Sequence, residues 1–537
     1  MKKFISLILA CIMVLGVLAG CHRNQLPPSQ NKQQVTDVTF PLAEPVTFTF
    51  MIQGTKSSTF DEDIANNALL KKLTEETNVH LEFQFIGNDT TKLNLLINGG
   101  TYGDVIWGGP VLNSVTASKY IAARKLIDLT DFVNPDLMPE FSADLAENPD
   151  MKKMITAADG RIYTLPKITG LEGNYLESPI WINKAWLDKL QLEVPTTLDE
   201  FTNVLRAFAT KDPNGNGLPD EIPYIASTSN SFSHLEALAG IFGIATKDGE
   251  NDGFVQVKEG KVTFVPTSDA YKEYIKWMNM LYEEGLLWGE CFTANNSTLN
   301  AKMMSKTCVV GCFTSTTPLD TDYKDDYVVI APPKAEGYEP CWYFHPAING
   351  SKNQFYVTDK CQNVSVLMAY IDKLYNLEYA IGYEYGVVGE GRVVMTEDGK
   401  YEFVELDSVT SAKLYKDAPT LASLIGNGVR SITSNDFANY VNLSEEYKTL
   451  QNSYEIYKDY INDELWPRPY YAANRCNEAD LYVTDINLAV QAKRAAWITG
   501  SSDIDADWSK FKSDLDKIGL QEYLSILQEA YDAYNNA

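Results

Sequence analysis

Val46-Thr47-Phe48-Thr49-Phe50 alternates apolar and polar side chains at period two, the pattern of a strand with one buried face. Asn66 to Thr77 follows with helical periodicity, and Val79-His80-Leu81-Glu82-Phe83 returns to alternation. Lys92 to Ile97 reads as a helix running into Gly99-Gly100. Val105-Ile106-Trp107 reads as a short apolar strand ending in Gly108-Gly109-Pro110. Short strands alternating with helices predict an α/β architecture. In an open α/β sheet, loops at the carboxyl ends of strands line the ligand crevice. Trp107 stands at such an end and is the first candidate ligand contact.

The same alternation continues. Asp159-Gly160 signals a hairpin, with Tyr163 to Pro166 after it. Ile180-Trp181-Ile182 reads as a strand and Lys184 to Leu190 as a helix. Thr196-Thr197-Leu198-Asp199-Glu200-Phe201 has the Thr cap and early acids of a helix start. From Asp269 to Glu284, Tyr271, Tyr274, Ile275, Met278, Leu281 and Tyr282 fall on one helical stripe. Ser268 is placed to cap that helix and Gly285 to end it, so its aromatics read as core. Phe511, Leu515 and Ile518, then Gly519, then Tyr523, Leu524, Leu527 and Tyr531 predict two closing helices.

The amino terminus has its own logic. Lys2 and Lys3 precede an apolar run from Phe4 to Val17, and Leu18-Ala19-Gly20-Cys21 follows. The run is short for a membrane span and reads as a cleaved export signal. Cysteine after Leu-Ala-Gly resembles a bacterial lipobox, in which Cys21 takes a diacylglycerol and becomes the first mature residue. The plainer reading is an ordinary signal peptide, Cys11 being a cysteine without such a context. His22 to Asp37 is rich in Gln, Asn, Ser and Pro and reads as a flexible tether.

At 537 residues the chain is too long for one small core, so two or more lobes are expected. It is 45% hydrophobic and 12% aromatic, which suits a packed globular protein. A net charge of -27 repels nucleic acid and anionic lipid headgroups and marks neither as a partner. Besides Cys11 and Cys21 there are Cys291, Cys308, Cys312, Cys341, Cys361 and Cys476. Export permits disulfides; buried free thiols, with a disulfide or two at most, are the expectation. His22, His80, His234 and His345 are too scattered for a metal-ligand spacing.

Asp212-Pro213-Asn214-Gly215-Asn216-Gly217-Leu218-Pro219-Asp220-Glu221 places side-chain oxygens at alternate positions. Gly217 permits a sharp turn, Leu218 offers a carbonyl, and Asp220 and Glu221 add carboxylates. A hard cation such as calcium takes about six to eight oxygens, so Asp212, Asn214, Asn216, Leu218, Asp220 and Glu221 are the predicted structural calcium set. The loop resembles the first nine positions of an EF-hand, but Pro223 stands at the twelfth. Glu221, or a residue from elsewhere, must then close the shell. The alternative is a turn-rich hairpin without metal.

Longer segments carry a family likeness. Trp181-Ile182-Asn183-Lys184-Ala185-Trp186-Leu187-Asp188-Lys189-Leu190 with Val194-Pro195-Thr196-Thr197-Leu198-Asp199-Glu200-Phe201 resembles the core signature of extracellular solute-binding proteins, family 1. These are the lipid-anchored receptors of ABC importers. Asp159-Gly160-Arg161-Ile162-Tyr163-Thr164-Leu165-Pro166, Leu281-Tyr282-Glu283-Glu284-Gly285-Leu286 and Trp497-Ile498-Thr499-Gly500 are similar to further family segments, and the calcium-type loop to one in the polysaccharide-importer branch.

The resemblance implies a two-lobed α/β fold of periplasmic-binding-protein type, with hinge strands and a ligand cleft between the lobes. It divides the chain into a signal peptide (1–20), lipidated Cys21 and tether (21–45), lobe 1 (46–170), lobe 2 (171–345), a return to lobe 1 (346–405) and a helical segment completing lobe 2 (406–537). It implies a monomer on the outer face of the cell membrane, held only by its lipid. The solute, a sugar or oligosaccharide, passes to ABC permease subunits. Aromatic platforms suit sugar rings, so Trp107, Tyr175, Phe232, Phe313, Trp342 and Tyr343 are the expected ligand contacts, each with a core or hinge role as its alternative.

Two other functions compete. A lipid-anchored glycoside hydrolase needs a carboxylate pair about 5–10 Å apart across a cleft, and acidic residues are too numerous to single one out. No nucleophile elbow, zinc-binding His pair, P-loop or dinucleotide fingerprint is present. A glycan-capture lipoprotein without a transporter would share the anchor and the aromatics.

Overall fold

The computed structural model describes residues 33–87, 90–108, 112, 114–170, 176–228, 233–245, 254–317, 321–344, 352–462, 464–472 and 474–536. Cys21, Tyr175 and Phe232, together with the signal and the tether residues up to 32, lie outside the described residues. The flexible tether expected over 21–45 is corrected from residue 33 onward, where Gln33 Nε2 donates to the Cys361 carbonyl at 2.6 Å and Val38, Phe40 and Leu42 pack on the first-lobe core.

Strands β1 (Val46–Ile52), β2 (Val79–Phe85) and β3 (Val105–Trp107) lie parallel, with helices between successive strands. β4 (Thr164–Leu165) and β5 (Lys167–Thr169) then lead out of the first lobe. In the second lobe, β6 (Ile180–Asn183), β7 (Ile222–Tyr224), the hairpin β8 (Val255–Lys258) and β9 (Lys261–Phe264), β10 (Val310–Thr314) and β11 (Tyr327–Ile330) follow. The chain returns as β12 (Phe355–Val357), β13 (Val393–Met395), β14 (Tyr401–Phe403), β15 (Arg430–Ile432) and β16 (Val441–Asn442). The first sheet runs β2-β1-β3-β12-β4 with β12 antiparallel; the second runs β11-β6-β10-β7.

Period-two alternation sorts the side chains into layers. Phe48, Phe50, Ile52, Val105 and Phe355 face one core with Leu73, Leu367 and Ile371. Met51, Ile106 and Tyr356 face the other side with Leu93, Ile97 and Ile121. In the second lobe, Ile180, Ile182 and Cys312 meet Phe201, Leu205, Tyr274 and Met278, while Trp181, Val310 and Phe313 meet Leu299 and Met303. Each sheet therefore carries its own cores, the physical meaning of two lobes.

The local signals act as expected. Thr197 and Glu200 close a capping box on Leu198–Thr210, and the Ser268 hydroxyl accepts the Tyr271 N–H at the head of Asp269–Glu283. Asp159-Gly160 turns between the bridged residues Thr156 and Ile162, with Gly160 at φ +80°. Gly519 (φ +114°) separates helix Ile504–Ile518 from Leu520–Asn535. The six cysteines outside the amino-terminal segment are free thiols.

The boundary expected at 405/406 falls later. Leu421, Ile425 and Val429 join the first-lobe core, β15 pairs with β5, and β16 pairs with β14. Only at helix Glu445–Tyr457 does the chain turn toward the second lobe, where Tyr457 packs. Nothing in composition marks 406, and long-range pairing decides the point. Helix Cys476–Ile498 then packs Ile486, Val490 and Trp497 into the second-lobe core, while an ion pair from Asp480 reaches Lys119 of the first lobe.

Candidate functional site: an interlobe cleft and an oxygen-rich loop

Three connections join the lobes, and their register shows where the lobes meet. Trp107 and Leu165 are both in register with Phe355, so the ends of β3 and β4 and the start of β12 share one level. Leu176 bridges Phe344, and the Trp342 N–H donates to the Tyr460 carbonyl at 2.7 Å. The third connection is Trp466-Pro467-Arg468-Pro469-Tyr470: Trp466 packs in the second-lobe core and Tyr470 in the first.

On the second lobe, Ser233, Thr314 and Ser315 are buried beside the ends of the parallel strands β7 and β10 and bond within the protein. Ser233 Oγ donates to the Ile225 carbonyl at 2.5 Å and accepts the Thr314 N–H at 3.1 Å. The Ser315 N–H donates to the Pro179 carbonyl, and its own carbonyl accepts Trp181 Nε1 at 2.8 Å. In the same lobe Glu236 pairs with Arg494, and its other oxygen lies 2.7 Å from His234 Nδ1. All three are buried, and burial brings the Arg494 pKa down to about 10.

The first-lobe side holds buried cations. Lys352 donates to the Arg468 carbonyl and lies 4.6 Å from the Tyr470 ring centre. Burial, aided by the nearby Arg468 charge, lowers its pKa to about 7. Arg468 has a left-handed backbone (φ +49°), sparsely populated for a side chain of that size. Lys167 is lowered to about 8, first by burial and then by Arg430. Arg430 is ion-paired with Glu384 and stacks over Tyr383.

Four of the predicted aromatic contacts are described, and all four are buried. Trp107 is 1% exposed, with its ring against Phe50, Phe355 and Tyr383 and its Nε1 donating to Tyr383 OH at 3.2 Å. Phe313 lies inside β10, stacked on Trp181. Trp342 donates from Nε1 to the Glu177 carbonyl and packs on Tyr457, stapling two connections together. Tyr343 is 7% exposed. The expectation of open ring platforms at these four positions is corrected: protein atoms cover the rings in this conformation. Sequence reasoning passed over Lys352, Arg430 and Arg468. The aromatic-and-proline run at 466–471 was the one signal that could have pointed to the third connection.

The loop at 212–221 folds around its own oxygens. Asp212 accepts the N–H groups of Gly215 and Gly217 at 2.9 and 3.1 Å. Asn214 and Asn216 donate their amides to Asp220, and the Leu218 N–H donates to Asn216 Oδ1. Glu221 Oε1 is buried without a hydrogen-bond partner, and its pKa is raised by burial and by Asp212 and Asp220. Among the described residues no three His, Cys, Asp or Glu side chains converge as a metal-ligand group. An ion here would therefore draw on amide and carbonyl oxygens as well.

A profile of the bacterial extracellular solute-binding protein family matches residues 54–372. The chain is 30% identical over 541 residues to the fructooligosaccharide ABC transporter substrate-binding protein FusA of Streptococcus pneumoniae, covering 97% of this chain and 96% of that protein. The solved structure of a solute-binding protein of Bifidobacterium longum infantis, described as HMO-binding and ABC-transporter-associated, aligns with a TM-score of 0.79 at 26% identity, over 92% of this chain and 99% of that one. An EF-hand mutant of pneumococcal FusA in complex with fructo-nystose aligns at 0.76 and 25% identity, over 91% and 99%. The profile match, together with identity to FusA along nearly the whole chain, establishes that this protein belongs to the bacterial extracellular solute-binding protein family.

Proposed function

We propose that the protein is a lipid-anchored extracellular receptor that closes on an oligosaccharide and delivers it to an ABC permease. The observation that carries this is the pair of separately cored lobes joined by three connections. FusA and the bifidobacterial protein, both named for sugar ligands, support the solute class. The lobes supply a hinge geometry in which ligand contacts made only in the closed form drive closure. Membership of an extracellular family places the protein among exported chains, and among the described residues no helix is long and apolar enough to cross a membrane. Lipidation at Cys21 follows from the Leu18-Ala19-Gly20-Cys21 motif. The role is capture and release by a monomer; the hydrolase reading gains no support from the family.

A structural calcium ion belongs to this reading. Asp212, Asn214, Asn216, Asp220 and Glu221 with the Leu218 carbonyl form a hard-oxygen donor set that suits it. The unpartnered Glu221 oxygen is the structural sign of fit. The ion would neutralise the acids crowded there and fix the turn beside helix Lys184–Leu190, whose Lys189 already donates to the Pro213 carbonyl at 2.7 Å.

The test is calorimetric titration and small-angle scattering with neutral tri- to pentasaccharides, fructo-nystose included. One ligand per chain with a decrease in radius of gyration is expected. Product formation from a bound sugar, or saturation without compaction, would reject the receptor-with-hinge reading.

A further inference from the structure

We infer that Asn427 is a ligand-contacting specificity residue of the cleft, held in its donor orientation by the buried Arg430. The inference rests on the receptor reading above and names a residue of the same site.

The turn Gly426-Asn427-Gly428 lies at the carboxyl end of β3. A Cβ on Gly428 would fall inside the Trp107 ring, and one on Gly108 would meet the Asn427 carbonyl. Only glycines let the turn lie this closely on the strand end. The Gly108 N–H donates to the Gln354 carbonyl, so the turn stands level with the start of β12, where the second connection arrives. Gly426 and Asn427 are exposed there, whereas Gly428 and Val429 are buried.

The support beneath this turn exceeds what a surface loop requires. Tyr383 OH donates to the Gly426 carbonyl at 2.6 Å and accepts Trp107 Nε1. Arg430 is 1% exposed; its Nη1 donates to the Gly428 carbonyl at 3.1 Å and its Nη2 to Asn427 Oδ1 at 3.4 Å. Glu384 supplies the counter-charge, and the guanidinium lies over the Tyr383 ring. A buried ion pair adds little net stability, and its best-attested use is to hold one geometry. Here the geometry is that of an amide. With Oδ1 engaged by Arg430, the Asn427 NH₂ is left as a donor at the strand end, matched to an acceptor oxygen such as a sugar hydroxyl or ring oxygen. Trp107 is the buttress of this donor and not itself a ring platform.

The test uses the full mature chain and the tightest-binding saccharide of the panel above. Asn427→Ala weakens binding about 3- to 10-fold, the loss of one neutral hydrogen bond, with an unchanged melting temperature. Arg430→Lys keeps the charge beside Glu384 but not the two-pronged donor. It weakens binding in the parent chain and adds little in the Asn427→Ala background, a coupling that general destabilisation would not produce. Wild-type affinity in Asn427→Ala, or additive losses in the double variant, overturns the inference while leaving the receptor reading intact. A wild-type chain that binds no saccharide of the panel overturns the receptor reading and this inference with it.

Discussion

Replacing Trp107 by alanine separates a buttress from a platform. The indole is 1% exposed, with ring centres of Phe50, Tyr383 and Phe355 at 5.1, 6.1 and 6.2 Å. Deleting a buried Trp side chain costs about 3–5 kcal/mol in transfer and cavity terms. The lost Nε1 hydrogen bond adds about 1 kcal/mol at most, because Tyr383 OH keeps its bond to the Gly426 carbonyl. A loss of about 4 kcal/mol is therefore expected. At roughly 2–4 °C per kcal/mol for a unit of 150–250 residues, the first-lobe transition should fall by roughly 8–16 °C. Trp107→Phe keeps most of the ring contact and should lose about 1–2 kcal/mol. Differential scanning calorimetry reads both variants, and the transition of the second lobe should stay in place. A ligand platform behaves oppositely: Trp107→Ala would abolish binding and leave the melting curve unmoved. That result would refute the packing argument and the role assigned to Trp107 beneath Asn427.

Three further outcomes are expected. Removing calcium with a chelator should lower the melting temperature, since an ion at 100 times its dissociation constant stabilises the native state by about 2.7 kcal/mol; Glu221→Gln should shrink that shift, and identical curves with and without calcium would exclude a coupled structural ion. Lys352, lowered to about 7 in the fold, should give stability a pH slope. Below pH 7 it is charged in both states and its burial costs the native state. Between pH 7 and about 10.5 the unfolded chain holds a proton that the native chain has lost, so stability from this residue rises with pH by about 1.4 kcal/mol per unit. Lys352→Met should lack this slope in urea unfolding at pH 6 to 9; parallel profiles would contradict it. Glu236→Ala strips the buried Arg494 guanidinium of this counter-charge and should cost about 3–5 kcal/mol, with most of it regained in Glu236→Leu/Arg494→Met. A single-variant cost under about 1 kcal/mol in chemical denaturation would show that the pair is not a structural tie.

Much of the architecture was legible in local pattern. Alternation at Val46–Phe50 and the stripe on Asp269–Glu283 report burial at periods of two and 3.6, which the backbone imposes on any neighbour. Thr197, Ser268 and Gly519 mark helix ends because caps satisfy orphan backbone groups within a few residues. The alternating oxygens of 212–221 were likewise readable, since that loop bonds chiefly to itself.

What the sequence by itself determined was therefore short-ranged: the strands, helices and caps, the oxygen-rich loop, and the family signature at Trp181–Phe201. Tertiary structure alone decided which aromatic is wall and which is core. Trp107 has the same local pattern in either role, and its burial depends on Tyr383, 276 residues further along. The Arg430–Glu384 pair, the cation Lys352 against the Arg468 carbonyl, and the late return of the chain after β16 are of the same kind. They arise where segments far apart in sequence are pressed together. Desolvation and close contact belong to the assembled surfaces, and no single segment carries them.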